Sequence, residues 1–240
     1  MPQLKILALW LLAGLHAFAA VAYVQSAKAL PAATSGTVAF GSNVTAGDLL
    51  TVSVEGFASS GTATPTDTLS TSYKLLFSVS GVGSSTLQFF VGIAPSSGAD
   101  TVSFSGVNAN NALVIIAERS GVAGVYLAGS NASTSGSSWN LNNNQSPLTA
   151  QGGMMVSVGV ETSLSSDTFA LTGGTVRQQG APSGGLAGVE GDQAISQQTT
   201  LASFTATLTL TSAATGSQML VYLEPVVSGG ATTLVSGATY

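Results

Sequence analysis

Short runs of hydrophobic and β-branched residues alternate along the chain with turns rich in glycine, serine, asparagine and proline. Such a pattern predicts about ten strands in a single antiparallel β-sandwich domain, since no helical period of useful length follows residue 24. The predicted strands cover residues 36–40, 48–55, 73–79, 86–93, 100–104, 112–118, 124–127, 154–161, 168–171, 202–210 and 218–224.

Two of these runs carry different predictions about burial. In residues 48–55, leucine and valine alternate with Thr51, Ser53 and Glu55, so we expect one buried and one solvated face. Residues 112–118 are almost continuously hydrophobic, which predicts a central strand buried on both faces.

Two stretches and the C-terminal end lack a clear strand pattern. Residues 129–153 are rich in serine, asparagine, glycine and glutamine, which predicts a long loop with one short strand near Trp139. Residues 173–198 are rich in glycine and are also expected to be irregular. Pro225 is expected to end the last strand, so that residues 226–240 form a tail or an edge strand.

The N-terminal segment, residues 1–22, has the pattern of a secretory signal peptide. Lys5 precedes an apolar run, and two Ala-x-Ala cleavage motifs follow it. Cleavage leaves Ala20 or Tyr23 as the first residue, ahead of a sandwich domain at 23–225, in a protein of the extracellular space or cell surface. A retained membrane anchor is the alternative, because the apolar run is close to the ~20 residues that span a bilayer.

Composition removes several classes of function. The chain has no cysteine, which excludes disulfides, thiolate metal sites and cysteine nucleophiles. Five basic residues and a net charge of −5 cannot form a phosphate-binding patch, so we expect no nucleic-acid partner. The single histidine, His16, lies within the predicted signal peptide, and its removal leaves no imidazole base or ligand. We expect no enzyme, no cofactor and no metal site.

Carboxylates are the remaining candidates for chemistry. Glu55, Glu118, Glu161 and Glu224 each lie near a predicted strand end, where we interpret them as solvated caps and not as paired catalytic acids. Calcium binds through oxygen ligands alone, and Asp100 with the asparagines that follow it supplies such groups. Ordinary turns built on Asp and Asn explain these residues better, since no EF-hand spacing is present.

A second candidate is a carbohydrate site around Trp139. Sugars bind to exposed aromatic rings beside amide groups, and Asn140, Asn142 and Asn143 adjoin this tryptophan. The competing interpretation is that Trp139 plugs the core at one end of the sandwich.

Four segments resemble a family of exported bacterial β-sandwich domains: residues 46–54, 66–73, 98–104 and 117–122. In that family a D-x-x-G-N-x-Y turn, a G-x-N-T-V-T-V strand and an E-Y-S-G strand end recur in this order. The likeness spans roughly residues 24–225 and implies a jelly-roll-like sandwich on an extracellular or cell-surface protein, without catalytic residues. The chain departs from the family at residues 69–71, which replace the Gly-Asn turn, and at Arg119, which replaces the tyrosine.

The low charge of the chain points to assembly. Charged residues make up 6% of the sequence, and lysine, the usual guard of an edge strand, occurs only twice after the predicted signal peptide. We therefore expect a non-enzymatic structural subunit of an extracellular filament or surface layer, whose partner is another copy of itself. Edge strands or the terminal segments 23–33 and 226–240 would be exchanged between copies. The alternatives are a secreted module that binds carbohydrate or a cell surface, and a monomer.

Overall fold

The computed structural model describes residues 18–57, 62–81, 85–142, 152–162, 167–195 and 204–227. These ranges contain strands and no helix, and every strand pair is antiparallel, which confirms the predicted all-β antiparallel class. The fifteen strands are β1 (Phe18–Ala19), β2 (Ala22–Ala29), β3 (Ser35–Ala39), β4 (Leu49–Phe57), β5 (Thr64–Asp67), β6 (Lys74–Ser80), β7 (Ser85–Ile93), β8 (Thr101–Ser105), β9 (Ala112–Ser120), β10 (Val122–Asn142), β11 (Met154–Glu161), β12 (Phe169–Leu171), β13 (Thr175–Gly180), β14 (Ala187–Ala194) and β15 (Thr205–Val227).

The strands form three sheets. The five-stranded sheet has the order β2-β9-β4-β7-β6, and the three-stranded sheet has the order β3-β8-β5. The seven-stranded sheet follows the path β1-β15-β11-β14-β13, with β10 and β12 also paired to β15. This arrangement is consistent with a β-sandwich whose two main sheets face each other.

Three hydrophobic cores hold the layers together. Phe89 and Val221 belong to the core between the five-stranded and seven-stranded sheets. Val114 and Phe104 belong to the core between the five-stranded and three-stranded sheets. The third core contains Trp139. It forms where the end of β10, residues 138–142, and residues 205–210 of β15 pack with β12 on the outer face of β11 and β14. The two main sheets are therefore covered on both faces.

This layering confirms one burial prediction and overturns another. β9 lies between β2 and β4, and its residues from 112 to 119 are buried, as the continuous hydrophobic run predicted. The expectation of a solvated face on β4 is wrong. Thr51, Ser53 and Glu55 are fully buried, because the seven-stranded sheet covers that face.

The long loop predicted at residues 129–153 is wrong as far as Asn142. These residues continue β10, which pairs with β15 from Val122 opposite Pro225 to Asn142 opposite Thr205. The two strands predicted within residues 202–224 are one strand, β15. Pro225 does not end β15. It lies two residues before the last residue of the strand, where its missing N–H removes only one ladder hydrogen bond.

The irregular region predicted at residues 173–198 contains two strands, β13 and β14, paired to each other. At the N-terminal side, β2 joins the five-stranded sheet, and Val21 beside it is 4% exposed. The described residues contain no helix long and apolar enough to cross a membrane. Residues 1–17 and 228–240, on which most of the signal-peptide and tail predictions fall, lie outside the described ranges.

The turn after β5 has a specific organiser, Asp67. Its carboxylate accepts hydrogen bonds from the Thr71 backbone N–H at 2.8 Å and from the Tyr73 hydroxyl at 3.0 Å. Ser70 has a φ of 64°, in the left-handed region that favours glycine. These hydrogen bonds give a physical reason for the spacing of the aspartate and the tyrosine in the D-x-x-G-N-x-Y turn. Ser70 stands where that motif has glycine.

Candidate functional site

The charged side chains of this protein are concentrated inside it. Ten acidic and four basic residues follow residue 17, and all of them are described. Only Lys28 and Lys74 are exposed. Eight are buried: Glu55, Asp100, Glu118, Arg119, Glu161, Asp167, Glu190 and Asp192. Since soluble monomers normally carry charge over about a quarter or more of their surface residues, this surface is unusually uncharged.

Arg119 is the centre of a buried ionic cluster between the two main sheets. Its Nη2 lies 2.7 Å from Oε1 of Glu190 on β14 and 3.8 Å from Oδ2 of Asp192. Its Nη1 donates a hydrogen bond to Oγ1 of Thr51 on β4 at 3.0 Å. Arg119 and Glu190 have no exposed side-chain surface, so this pair joins β9 to β14 across the sandwich.

Arg177 on β13 extends the cluster to the edge of the sandwich. Its Nε lies 2.9 Å from both carboxylate oxygens of Asp192, and its Nη2 lies 2.8 Å from Oδ1. The guanidinium carbon lies 3.9 Å from the centre of the Tyr23 ring on β2. Asp192 is thus held by two arginines, and the guanidinium of Arg177 stacks on an aromatic face.

Glu55 completes the cluster as a third acidic side chain. Burial raises the pKa of its carboxyl well above the ordinary value, and the charge of Glu190 raises it further, while hydrogen bonds from Ser53 and the Val189 N–H act in the opposite direction. The Ser53 hydroxyl donates to Oε2 of Glu190 at 3.0 Å. A Cβ at position 188 would lie 2.0 Å from Oε2 of Glu55, so only Gly188 leaves room for this side chain. The cluster therefore combines two arginines with three acidic side chains, those of Glu55, Glu190 and Asp192.

These positions correct the interpretation of the strand-end glutamates as solvated caps. Glu55, Glu118 and Glu161 are fully buried, and Glu224 is half-buried and accepts the Tyr126 hydroxyl at 2.9 Å. Sequence patterns did not predict the cluster, because its β13 and β14 members lie in the region expected to be irregular. Charged residues in such a charge-poor chain were the available signal.

A separate carboxyl pair lies at the same end of β9, where Glu118 directly precedes Arg119. Glu118 accepts hydrogen bonds from Nε2 of Gln25 at 2.6 Å and from the Thr45 N–H at 2.8 Å. Burial, followed by the hydrogen bond and the charge of Glu118, raises the pKa of Asp48 to about 6. The pair connects β2 and the turn before β4 to the end of β9.

One side of the sandwich is sealed where β2 and β13 lie next to each other. Nε2 of Gln178 donates to the backbone oxygen of Ser26 at 3.2 Å and to its hydroxyl at 3.1 Å. Nζ of Lys28 donates to the backbone oxygen of Gln179. These bonds and the Arg177–Tyr23 contact occupy the edges of both main sheets on this side.

The opposite side has two edge strands, β6 and β10. Among the strands that the structure describes, β10 hydrogen-bonds to β15 alone. It is 21 residues long and bends back on itself, since a Cβ at Gly129 would lie 2.7 Å from the backbone oxygen of Asn142, and it contains no charged residue and no proline. By contrast, β2, β6 and β13 contain Lys28, Lys74 and Arg177, and β5 contains Pro65.

The far part of β10 is an exposed ribbon over a buried core. Ser137 and Ser138 are exposed, and Ser138 lies opposite the exposed Thr209 of β15. Trp139 and Leu141 are buried on the other face. β10 departs from regular register at four places, as edge strands often do. Within the described ranges no strand pairs with β10 on the side away from β15, and an uncharged edge of this kind is suited to accept a further strand.

The residues predicted for a carbohydrate site lie on this same strand. Trp139 has no exposed surface, contacts Phe169 edge to face at 6.0 Å between ring centres, and donates its indole N–H to Gly136. It offers no open ring to a sugar, and its position matches the core-plug interpretation. Asn140 and Asn142 accept hydrogen bonds from the hydroxyls of Thr207 and Thr205, both at 2.7 Å. Asn143 lies outside the described residues.

Asp100 and the asparagines that follow it are the candidate calcium ligands. Oδ1 of Asp100 accepts the Thr68 hydroxyl at 2.9 Å, and burial raises the pKa of this carboxyl. Within the described ranges, no three or more histidine, cysteine, aspartate or glutamate residues are grouped so that they could hold a metal ion.

Comparison with protein-family models, curated proteins and solved structures finds no match to this chain. The resemblance to exported bacterial β-sandwich domains therefore rests on the residues of this sequence alone.

Proposed function

We propose that this protein is a non-enzymatic structural subunit of an extracellular filament or surface layer that assembles by pairing along the free edge of β10. The observation that carries the proposal is the edge itself: 21 residues without charge or proline. Natural sheets protect long edges with lysine, proline, bulges or a covering segment. β10 has four register irregularities but neither lysine nor proline, and an edge with so little protection favours pairing with another chain.

The distribution of charge supports the same function. On the described surface, Lys28 and Lys74 are the only exposed charged side chains. Most of the other charged side chains are buried. An uncharged surface rich in serine and threonine favours association and is compatible with burial in an assembly. The interior cluster stiffens the subunit without contributing surface charge.

Export and family membership are part of this proposal. A signal peptide that ends at Ala19 would bring the subunit to the cell surface and leave Ala20 as its first residue. The Asp67–Tyr73 hydrogen bond supports kinship with exported bacterial β-sandwich domains and a jelly-roll-like arrangement, because it accounts for the spacing of their common turn.

The test is the particle size of the exported protein and of two matched lysine variants. Ser138→Lys places a charge on the edge strand, and Thr209→Lys places the same charge on its cross-strand neighbour, which is paired on both sides. We expect regular fibres or sheets in negative-stain micrographs that persist in high salt, because few charge pairs hold them. Ser138→Lys should give small particles and Thr209→Lys should not. Small single particles of the unchanged protein at all concentrations would contradict the proposal.

A further inference from the structure

Assembly along β10 needs a strand that adds to it, and the C-terminal residues of the chain are suited to this. We propose that residues 228–240 of one copy pair with the free edge of β10 on the next copy. This inference rests on the proposed function and identifies the partner of its edge. Thirteen residues follow Val227, the last residue of β15. Fully extended, they reach about 40 Å, roughly the length of the far half of β10.

The chemistry of the segment matches that of the edge. Residues 228–240 contain no charged residue and no proline, as does β10. Their centre, residues 231–235, reads Ala-Thr-Thr-Leu-Val, which has strong β propensity. Pairing of the two would bury no charge and would satisfy the outward backbone groups of β10.

The point where the segment leaves the fold favours a neighbouring copy over the same chain. Pro225 pairs with Val122, and the Val226 N–H donates to the Gly121 oxygen at 2.9 Å, so β15 ends beside the start of β10. To cover its own β10, the segment would have to pass around that end and run parallel to the strand. A segment from another copy can lie antiparallel, which is the more stable pairing per residue.

The geometry also distinguishes a filament from a closed dimer. Two β10 edges that pair with each other form a two-fold contact, which ends with two subunits. A C-terminal segment that pairs with a β10 edge uses two different surfaces of each subunit. Such a head-to-tail contact repeats from subunit to subunit and produces a filament or layer wherever the rotation between subunits does not close a ring.

The experiment compares the full chain with a variant that ends at Val227, and then adds a synthetic peptide of residues 228–240. Circular dichroism and Trp139 fluorescence verify that the shortened chain is folded. We expect the shortened chain to remain small and to bind one labelled peptide per subunit. Ser138→Lys in the shortened chain should weaken peptide binding about tenfold or more, whereas Thr209→Lys should leave it unchanged.

The outcomes separate the two proposals. A shortened chain that assembles like the full chain, while Ser138→Lys still prevents assembly, overturns the role of the C-terminal segment and leaves the β10 edge in place. A folded, small shortened chain that does not bind the peptide also overturns that role. If the full chain never assembles, the proposed function fails, and with it this inference.

Discussion

Arg119 on β9 and Glu190 on β14 form an ion pair of 2.7 Å in which neither side chain has any exposed surface. The pair crosses the space between the two main sheets, and Arg119 is the residue at which the chain departs from the tyrosine of the resembling family. Oδ2 of Asp192 lies 3.8 Å from the same Nη2, so two carboxylates of β14 take part in this link.

Arg119→Met should destabilise the fold by about 3–5 kcal/mol, because it leaves Glu190 buried without its partner. The double variant Arg119→Met with Glu190→Gln should recover much of that loss, since no uncompensated charge remains. Urea unfolding monitored by circular dichroism measures both. Lys74→Met is the control, since this lysine is exposed and should change little. Equal losses in the single and double variants would show that the ion pair is not the source of the effect.

Glu55 should make the stability of the protein depend on pH. Its pKa is raised in the folded state, so the folded protein holds this proton more tightly than the unfolded chain does. Its favourable contribution is complete below the unfolded pKa, near 4.5, and is lost as the pH rises towards the folded pKa.

Glu55→Gln removes the titrating group. The stability of the variant relative to the unchanged protein should therefore be higher at pH 8 than at pH 4. The raised pKa of Glu55 fixes the sign of this difference, and the variant should gain stability relative to the unchanged protein as the pH rises from 4 to 8. Urea unfolding of both proteins at each pH gives the comparison. A variant with the same relative stability at pH 4 and pH 8 would contradict a raised pKa.

Some of this structure is predictable from sequence, and the reason differs between elements. β11 has the bounds that its hydrophobic run predicted, and β9 is central as expected, because continuous hydrophobicity marks a strand covered on both sides. The burial of Thr51 and Ser53 was not predictable, since the strand that covers them lies more than a hundred residues later in the chain. Alternation of hydrophobic and polar residues shows that the two faces of a strand differ in polarity, but it does not show whether the polar face meets solvent or another sheet.

β10 shows a different limit of sequence reasoning. Its far half consists largely of serine, threonine and asparagine, a composition typical of loops, so its hydrophobic signal is confined to Trp139 and Leu141. The strand forms because β15 supplies backbone partners along its whole length. The low charge of the chain predicted unprotected edges, but the identity of the edge required the structure.

Ser70→Gly should stabilise the protein by up to about 1 kcal/mol, because Ser70 adopts a φ of 64°, where a side chain is strained. The Asp67 hydrogen bonds hold the same turn in both proteins. The matched control is Ser72→Gly, at an exposed position of the same turn without a positive φ, which should be neutral or destabilising. Thermal unfolding of the three proteins distinguishes them, and a less stable Ser70→Gly variant would contradict the strain.

The exported protein should begin at Ala20 and not at Tyr23. Of the described residues, cleavage after Ala19 removes only the two of β1, which pair with the end of β15. Cleavage after Ala22 also removes the Val21 side chain, which belongs to the core between the main sheets, and the hydrogen bond from its N–H to the Gly152 oxygen at 2.7 Å. Mass spectrometry of the N-terminus decides between the two sites. A chain beginning at Met1 would instead support the membrane anchor.

The most direct measurement of the central claim is amide hydrogen exchange along β10 in the assembled protein and in the small Ser138→Lys variant. About half of the β10 amides face away from β15, and these should exchange quickly in the variant and slowly in the assembly. Protection gained in β10, with that of β2 and β13 unchanged, is the result we predict. Protection gained along β6 while β10 continues to exchange would contradict assembly through the β10 edge.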